Sequence, residues 1–348
     1  MTVTIDSDGS GEHANTPGGS ASVSPVDAGA PGDLRTSRAK LVVRRFARNR
    51  NALIGLVVIV LLYAAAFLSP LFAPWSYTEL DYDNFLVSPS GSHWFGTSKV
   101  GEDMFALVMR GLQKSLTIGL LVGLISTSLS AIVGATAGYF GGWVDRAMMW
   151  LVDLLLVLPS FLILAILSPA FKGKTWLIFV LLLGLFSWMI TARIVRGMTF
   201  TLREREYVKA ARFMGQAPWR IIVKHIVPNM ASLLIIDATV NVGAAVIAET
   251  GLSYFGFGVQ PPDVSLGTLI ASGTESAQTF PWLFLFPSMF LVVFVLAVNV
   301  VGDGLRDAID PNSAGGRRKD RRKARKEYQD AKDKARANAP ALAGKEAS

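Results

Sequence analysis

Apolar and polar positions fall in long blocks along this chain. Six apolar runs, at about 52–73, 115–138, 148–168, 175–192, 231–251 and 281–302, are separated by polar stretches. Each is close to the roughly 20 residues that an α-helix needs to cross the hydrocarbon core of a bilayer. The pattern predicts an all-α membrane protein with six transmembrane helices. The fourth run is the shortest, and its "WMITAR" end leaves the boundary open by several residues. Before the first run, 34–50 ("LRTSRAKLVVRRFARNR") mixes Leu, Val and Phe with seven basic residues. It reads either as a short amphipathic helix on the inner leaflet or as a plain basic flank.

The polar blocks set the orientation. With the amino terminus inside, the inner segments hold seven Lys/Arg (34–50), one (Arg146), eight (193–230) and thirteen (303–348). The outer segments hold three (73–114), two (169–174) and none (252–280). Lys and Arg favour the cytoplasmic side, so both termini are expected in the cytoplasm of a multi-pass cell-membrane protein. The resulting division is a tail at 1–33, the juxtamembrane segment 34–50, a six-helix body at 51–311 and a tail at 312–348. The first tail, rich in Gly, Ser, Pro, Ala and Asp, is predicted disordered. It has neither a basic n-region nor an apolar h-region, so it does not read as a signal peptide.

Composition narrows the chemistry. Of 348 residues 51% are hydrophobic and 17% charged, which is too apolar for an ordinary soluble domain. There is no cysteine, so disulfides, thiolate metal sites and cysteine nucleophiles are excluded. His13, His93 and His225 lie too far apart in sequence to suggest a metal cluster. The net charge is +8, and 312–348 carries twelve Lys/Arg against five Asp/Glu. That excess suits a solvated, partly helical tail drawn to an anionic leaflet, worth about 1 kcal/mol per basic residue near the surface. A tail with no partner is the plainer reading. Nucleic-acid binding is not expected, since the tail offers no aromatic platform beyond Tyr328.

Within the runs, Gly119-x-x-x-Gly123 and Gly134-x-x-x-Gly138 place small residues where helices can approach closely in lipid. Gly173-Lys174-Thr175 imitates the end of a phosphate loop, but Ser168 stands where that loop needs glycine, so no nucleotide site is expected. Asp153, Asp237 and Glu249 fall inside or beside apolar runs. Intramembrane acids face a bundle interior or a hydrated path, and with no intramembrane His or Lys to complete a proton relay, interhelical hydrogen bonding or pathway lining is the expected role. No catalytic triad, zinc motif or catalytic carboxylate pair is visible, so the chain reads as a conduit and not as an enzyme.

The 193–230 loop carries the most ordered pattern. From about Met198 to Met214 the residues are strong helix formers, with Tyr207, Ala211 and Met214 on one face at i, i+4, i+7 spacing. Gly215 sits where a left-handed residue would end the helix. Pro218 suits the first turn of a second helix, "PWRIIVKHIV", which Pro228 interrupts just before the fifth run. The small pair Ala210 and Ala211 would let another protein approach the backbone. A helix resting passively on the membrane is the alternative.

This stretch resembles the coupling motif of ABC importer permeases, E-A-A-x-x-x-G with a downstream Leu-Pro. It reads Lys209-Ala210-Ala211, Gly215 and Val227-Pro228, with the glycine-to-proline spacing intact. Lys209 replaces the motif's glutamate, and His225 and Val227 also depart from it. "HWFGTSKVGEDMF" (93–105), where an arginine commonly takes the place of Glu102, "ETGLSYFGFGVQPPDVSLGTLI" (249–270) and "NVVGDGLRDAIDPN" (299–312) are similar to the peptide subfamily. The likeness covers about 40–312 and is strongest to the second permease of dipeptide or oligopeptide importers.

The resemblance implies a type I importer permease fold and a heterodimer with a paralogous permease. It also implies two cytoplasmic ATPases, which use ATP and Mg, and an extracytoplasmic substrate-binding protein. This chain would hold no cofactor or metal. Glu206, Tyr207, Lys209, Ala210, Ala211, Met214, Gly215, Pro218 and Pro228 would form the coupling element. Import of nickel, glutathione or another small solute fits the same architecture. A proton-driven secondary transporter fits less well, as it would leave the coupling motif unexplained and no clear internal repeat is present.

Overall fold

A computed structural model describes residues 38–171, 176–309 and 329 of the chain. The 1–33 tail and Gly173-Lys174-Thr175 lie outside the described residues, as does the 312–348 tail apart from Gln329. Among the described residues the regular structure is helical, with two isolated bridges, Leu80 with Glu102 and Thr97 with Asp103.

The basic juxtamembrane segment contains α1 (Arg38–Phe46), and α2 (Arg50–Phe72) follows, its first turn capped by Asn49, whose side chain accepts the Ala52 N–H. The second span is much longer than its apolar run. Asp103 starts α3 (Met104–Phe140) by accepting the Ala106 N–H at 2.8 Å, and 37 residues give about 55 Å, well beyond the hydrocarbon thickness.

The third and fourth runs are broken. Pro159 follows α4 (Gly142–Val157) and disfavours helix in the residue before it, so α5 (Ser160–Leu167) leaves at 73°. Likewise α6 (Trp176–Ser187) and α7 (Met189–Arg203) meet at 46° around Trp188. Among the described residues, four helices are long and apolar enough to cross a membrane unaided, and up to six spans result when each bent pair counts as one.

The remaining elements are α8 (Glu206–Phe213), α9 (Pro218–Ile221), α10 (Ala231–Tyr254), α11 (Leu266–Thr274) and α12 (Trp282–Ile309). The apolar pattern does not predict α11. A capping box builds it: Ser265 Oγ accepts the Thr268 N–H and Thr268 Oγ1 accepts the Ser265 N–H.

α3 is the hub, packed against α2, α4, α6, α7, α10, α11 and α12. Its two glycine pairs divide the work as their spacing predicts. A Cβ on Gly119 or Gly123 would strike Val246 or Val242 of α10, and one on Gly134 or Gly138 would strike the backbone of Ala192 or Arg196 on α7. In lipid this close approach replaces the hydrophobic driving force that water would supply.

The intramembrane acids tie helices together, as expected. Asp237 accepts from Thr127 at 3.1 Å, Thr191 at 2.7 Å and Asn241 at 2.9 Å, joining α3, α7 and α10. Glu249, fully buried, accepts from Ser115 of α3 at 3.0 Å and Ser253 at 2.6 Å. Asp153 pairs with Arg193, and Asp145 with Arg196.

At the end of the molecule remote from the 193–230 loop, the segment between α2 and α3 is ordered around His93, which is buried. Its Nδ1 lies 2.9 Å from Asp103 and its Nε2 3.3 Å from Asp81, and Trp75 stacks on the ring at 4.9 Å. The Asn84 amide and the Asp83 N–H hold the Asp81 carboxyl below the usual carboxylate range. Asp103 therefore serves two partners, capping α3 and fixing the imidazole. Glu102 bonds locally, accepting from Ser98 Oγ at 3.0 Å.

Candidate functional site

The 193–230 stretch begins as the end of α7, not as loop. The single helix predicted over 198–214 is two helices. α7 stops at Arg203, the Arg205 N–H returns to the Leu202 carbonyl at 3.1 Å, and α8 restarts at Glu206. The restart is held by charge. Lys209, standing where the family motif has glutamate, bonds Glu204 at 3.1 Å, and Arg203 Nε approaches the same carboxylate at 3.3 Å. These contacts, Lys209 foremost, hold the Glu204 carboxyl below the usual range.

Gly215 ends α8 in the manner its position predicts. Its φ is +73°, the Gly215 N–H bonds the Arg212 carbonyl at 3.0 Å, and the Gln216 N–H reaches back to Ala211 at 3.1 Å. That pair of bonds satisfies carbonyls the helix end would otherwise leave open. Gln216 Oε1 also lies 3.2 Å from His225 Nε2, so the second departure from the motif bridges the two halves of the loop.

Pro218 occupies the first turn of α9, where its missing N–H costs nothing. Pro228 does not stop the helix that follows. Ile222–Ile226 forms a π turn, with the Val227 N–H bonded to the Ile222 carbonyl, and Val227–Met230 forms a 3₁₀ turn that leads into α10. Pro228 breaks the α-type bonding without ending the helical course, so Pro218–Tyr254 runs as one 37-residue helix.

The predicted common face of Tyr207, Ala211 and Met214 is divided. Ala211 is 1% exposed and packs inward with Val208, Ile221, Ile222 and Ile226 against Ala131, Ala135 and Val195 of α3 and α7. The inward pattern is 208 and 211, an i, i+3 pair, because α8 lies along the body of the molecule. Glu206, Tyr207, Lys209, Ala210, Met214, Gly215, Pro218 and Pro228 remain exposed. Glu206 and Tyr207, with Leu202, Glu204, Arg205 and Asn229, line an open groove of about 630 Å³.

Phe213 and Trp219, absent from the predicted set, are large apolar side chains left exposed on the loop beside Met214, with Phe213 at 90% and Trp219 at 57%. The signal for them was their position: each flanks the Met214-to-Pro218 turn between α8 and α9. The arrangement supplies no nucleophile or metal cage, and among the described residues no metal-ligating cluster occurs. It is a short rigid element, anchored by a buried apolar stripe, that presents aromatic and small residues outward.

Comparison with known proteins bears on what that element serves. The family described as "Binding-protein-dependent transport system inner membrane component" matches residues 130–314, and the N-terminal transmembrane domain of oligopeptide transport permease C matches 37–89. The oligopeptide transport system permease protein OppC of Mycobacterium bovis is 56% identical over 283 residues, 81% of this chain and 97% of that protein. The protein of the same name from Bacillus subtilis is 36% identical over 267 residues, 77% of this chain and 87% of that protein. A chain of the MetNI methionine ABC transporter in inward-facing conformations superposes with a TM-score of 0.47 at 20% identity, covering 60% of this chain and 98% of that one.

Proposed function

We propose, from the premise that this chain belongs to the family of inner membrane components of binding-protein-dependent transport systems, that it is a permease subunit of an ATP-driven importer of oligopeptides. The observation that carries the substrate class is the 56% identity extending over 97% of an oligopeptide permease. The protein is a multi-pass membrane transport subunit and not an enzyme. It works with ATPase and binding-protein partners, and the ATPases use ATP and Mg.

In the finer reading a paralogous permease completes the path, two ATPases bind from the cytoplasm, and a substrate-binding protein delivers peptide from outside. Both termini then lie in the cytoplasm, in keeping with the basic residues that crowd the 193–230 side. The exposed Phe213, Met214 and Trp219, beside Ala210, form the surface that enters an ATPase groove. Val208 and Ala211 fix that surface to α3 and α7, so that a push on the loop is felt by the spans.

The reading is tested by reconstituting the complete transporter in vesicles and measuring ATP-dependent accumulation of a labelled tetrapeptide presented by the binding protein. Accumulation above the external concentration is expected. Binding-protein-stimulated ATP hydrolysis that accumulates another solute and no peptide would move the chain to a sister branch of the architecture.

A backbone test isolates the coupling element. A Cβ at Gly215 meets nothing within 4 Å, so Gly215→Val costs mainly the left-handed conformation, about 1–2 kcal/mol. Uptake and ATPase copurification should both fall while the membrane part keeps its melting temperature. Gly215→Asn, which tolerates positive φ better, should be milder. Wild-type uptake and complex yield in the valine variant would make the loop a passive surface helix.

A further inference from the structure

We propose that the Arg193–Asp153 pair is a charged gate across the peptide path, opened by exchange of partners with the ammonium and carboxylate ends of the substrate. This rests on the peptide-importer reading for its substrate but not for its barrier function. A cavity of about 240 Å³ lies between α4, α6, α7 and α10, with Leu156, Ile190 and Asn241 among its lining residues. One helical turn from it towards the coupling loop, Asp153 and Arg193 pair with each other. Asp153 precedes Leu156 by three residues on α4, and Arg193 follows Ile190 by three on α7. The pair therefore joins α4 and α7, two of the helices that form the cavity's walls, one turn beyond the residues that line it.

A second pair farther along the same helices differs in kind. Arg196 grips Asp145 with two nitrogens and lies over the Phe200 ring at 4.8 Å, and the Asp145 side chain is 10% exposed. That pair is a structural strap. Asp237, on the α10 wall, is likewise committed, accepting from Thr127, Thr191 and Asn241. By contrast the Asp153 and Arg193 side chains are 60% and 49% exposed. Full charges this exposed at the inner ends of spanning helices face water in the path or a protein partner, not hydrocarbon. Each also keeps hydrogen-bonding capacity beyond the other: Arg193 has further guanidinium donors and Asp153 further lone pairs.

The ligand chemistry follows from these two groups. Whatever its side chains, a peptide carries one ammonium and one carboxylate, which are the partners that Asp153 and Arg193 would accept. A guanidinium binds carboxylate through paired parallel hydrogen bonds, so the substrate offers Arg193 an equivalent replacement for Asp153. The gate opens by trading one charge pair for two, whereas water or a lone inorganic ion offers no such trade. Contact at the termini also leaves peptide sequence unread at this point of the path.

The test uses the complete transporter in vesicles, with Asp153→Asn, Arg193→Gln and the charge-swapped double variant Asp153→Arg with Arg193→Asp. Chloride efflux down its gradient without ATP reads the barrier and does not depend on what the transporter imports. Both single variants should leak and the swap should be tight. For peptide, ATP-driven uptake in each single variant should fall about ten- to a hundredfold, the loss expected of one charge-assisted hydrogen bond, with ATP hydrolysis persisting. The number of ATP molecules consumed per peptide then rises, and the swap brings it back.

Single variants that stay tight to chloride and keep the wild-type ATP-to-peptide ratio would overturn the gate. So would a leak that the swap does not reduce, or one matched by an equal loss of melting temperature, since either would mark the pair as structural. Wild-type vesicles that import no peptide, alongside single variants that leak, would refute the substrate reading and leave the barrier standing.

Discussion

Replacing Gly134 by leucine should remove the folded protein from detergent extracts. Its Cβ would run into the Ala192 carbonyl oxygen and lie 2.8 Å from Val195 Cβ. Both obstacles are on or next to the α7 backbone and cannot swing aside. The two helices must part, and Ala131, Ala135 and Val195, which seat Val208, Ala211 and Ile221, part with them. Overpacking a tight interface costs about 1–3 kcal/mol and more when backbone blocks the way, so a loss of about 3 kcal/mol or greater is expected. Gly197→Ala, on the facing α7, is the control, because a Cβ there meets nothing within 4 Å. Alanine should be neutral or stabilising by up to about 1 kcal/mol from helix propensity. Yield by size-exclusion chromatography and thermal melting read both variants. A Gly134→Leu protein that matches wild type in the two measurements would mean that α3 and α7 do not pack as described.

Glu249→Leu should be nearly as damaging, through unmet hydrogen bonds instead of clash. Ser115 and Ser253 both donate to this fully buried carboxyl. The same two hydroxyls accept in turn, from the Leu266 N–H at 3.3 Å, the Val259 N–H at 3.1 Å and Ser265 Oγ at 3.3 Å. The carboxyl thus anchors a chain of donors that hangs α11 on α3 and α10. Leucine strands two hydroxyls at about 1–3 kcal/mol each. Glu249→Gln keeps an acceptor oxygen and should lose less. Ser115→Ala and Ser253→Ala should each destabilise as well, since they strand the N–H groups the serines accept, but less than additively on top of Glu249→Leu, because the bond to the carboxyl is already lost there. Additive losses of melting temperature through this series would refute the account.

Much of the architecture is legible in the sequence because hydrocarbon imposes a length on any helix that crosses it, and the apolar runs record that length. Gly215, Pro218 and the glycine pairs of α3 are legible for a similar reason, each answering a local steric demand. What escapes is set by tertiary partners. Pro159 lies within an apolar run of ordinary length, so the run conceals the break. α3 begins eleven residues before its apolar run because Asp103 caps it. The short α11 carries a capping box in place of a long apolar signal. In the 193–230 loop, Ala211 turns inward and Phe213 outward because α8 packs along α3 and α7, and periodicity within eight residues does not identify which stripe meets the body. The pairing of Asp153 with Arg193, forty positions apart, has no local trace.

The unbroken course from Pro218 to Tyr254 changes how force would move through this protein. A helix of 37 residues is a stiff rod of about 55 Å, and a stiff rod does not absorb a push at one end by bending in the middle. The π and 3₁₀ turns at 222–230 place its changes of hydrogen-bonding pattern near the 193–230 end, where Ile222 and Ile226 pack against α3 and α7. A small displacement at Trp219 then becomes a tilt, magnified with distance from that joint. The far end of the rod is where Glu249 holds α11, so a tilt about that joint would move α11 the farthest.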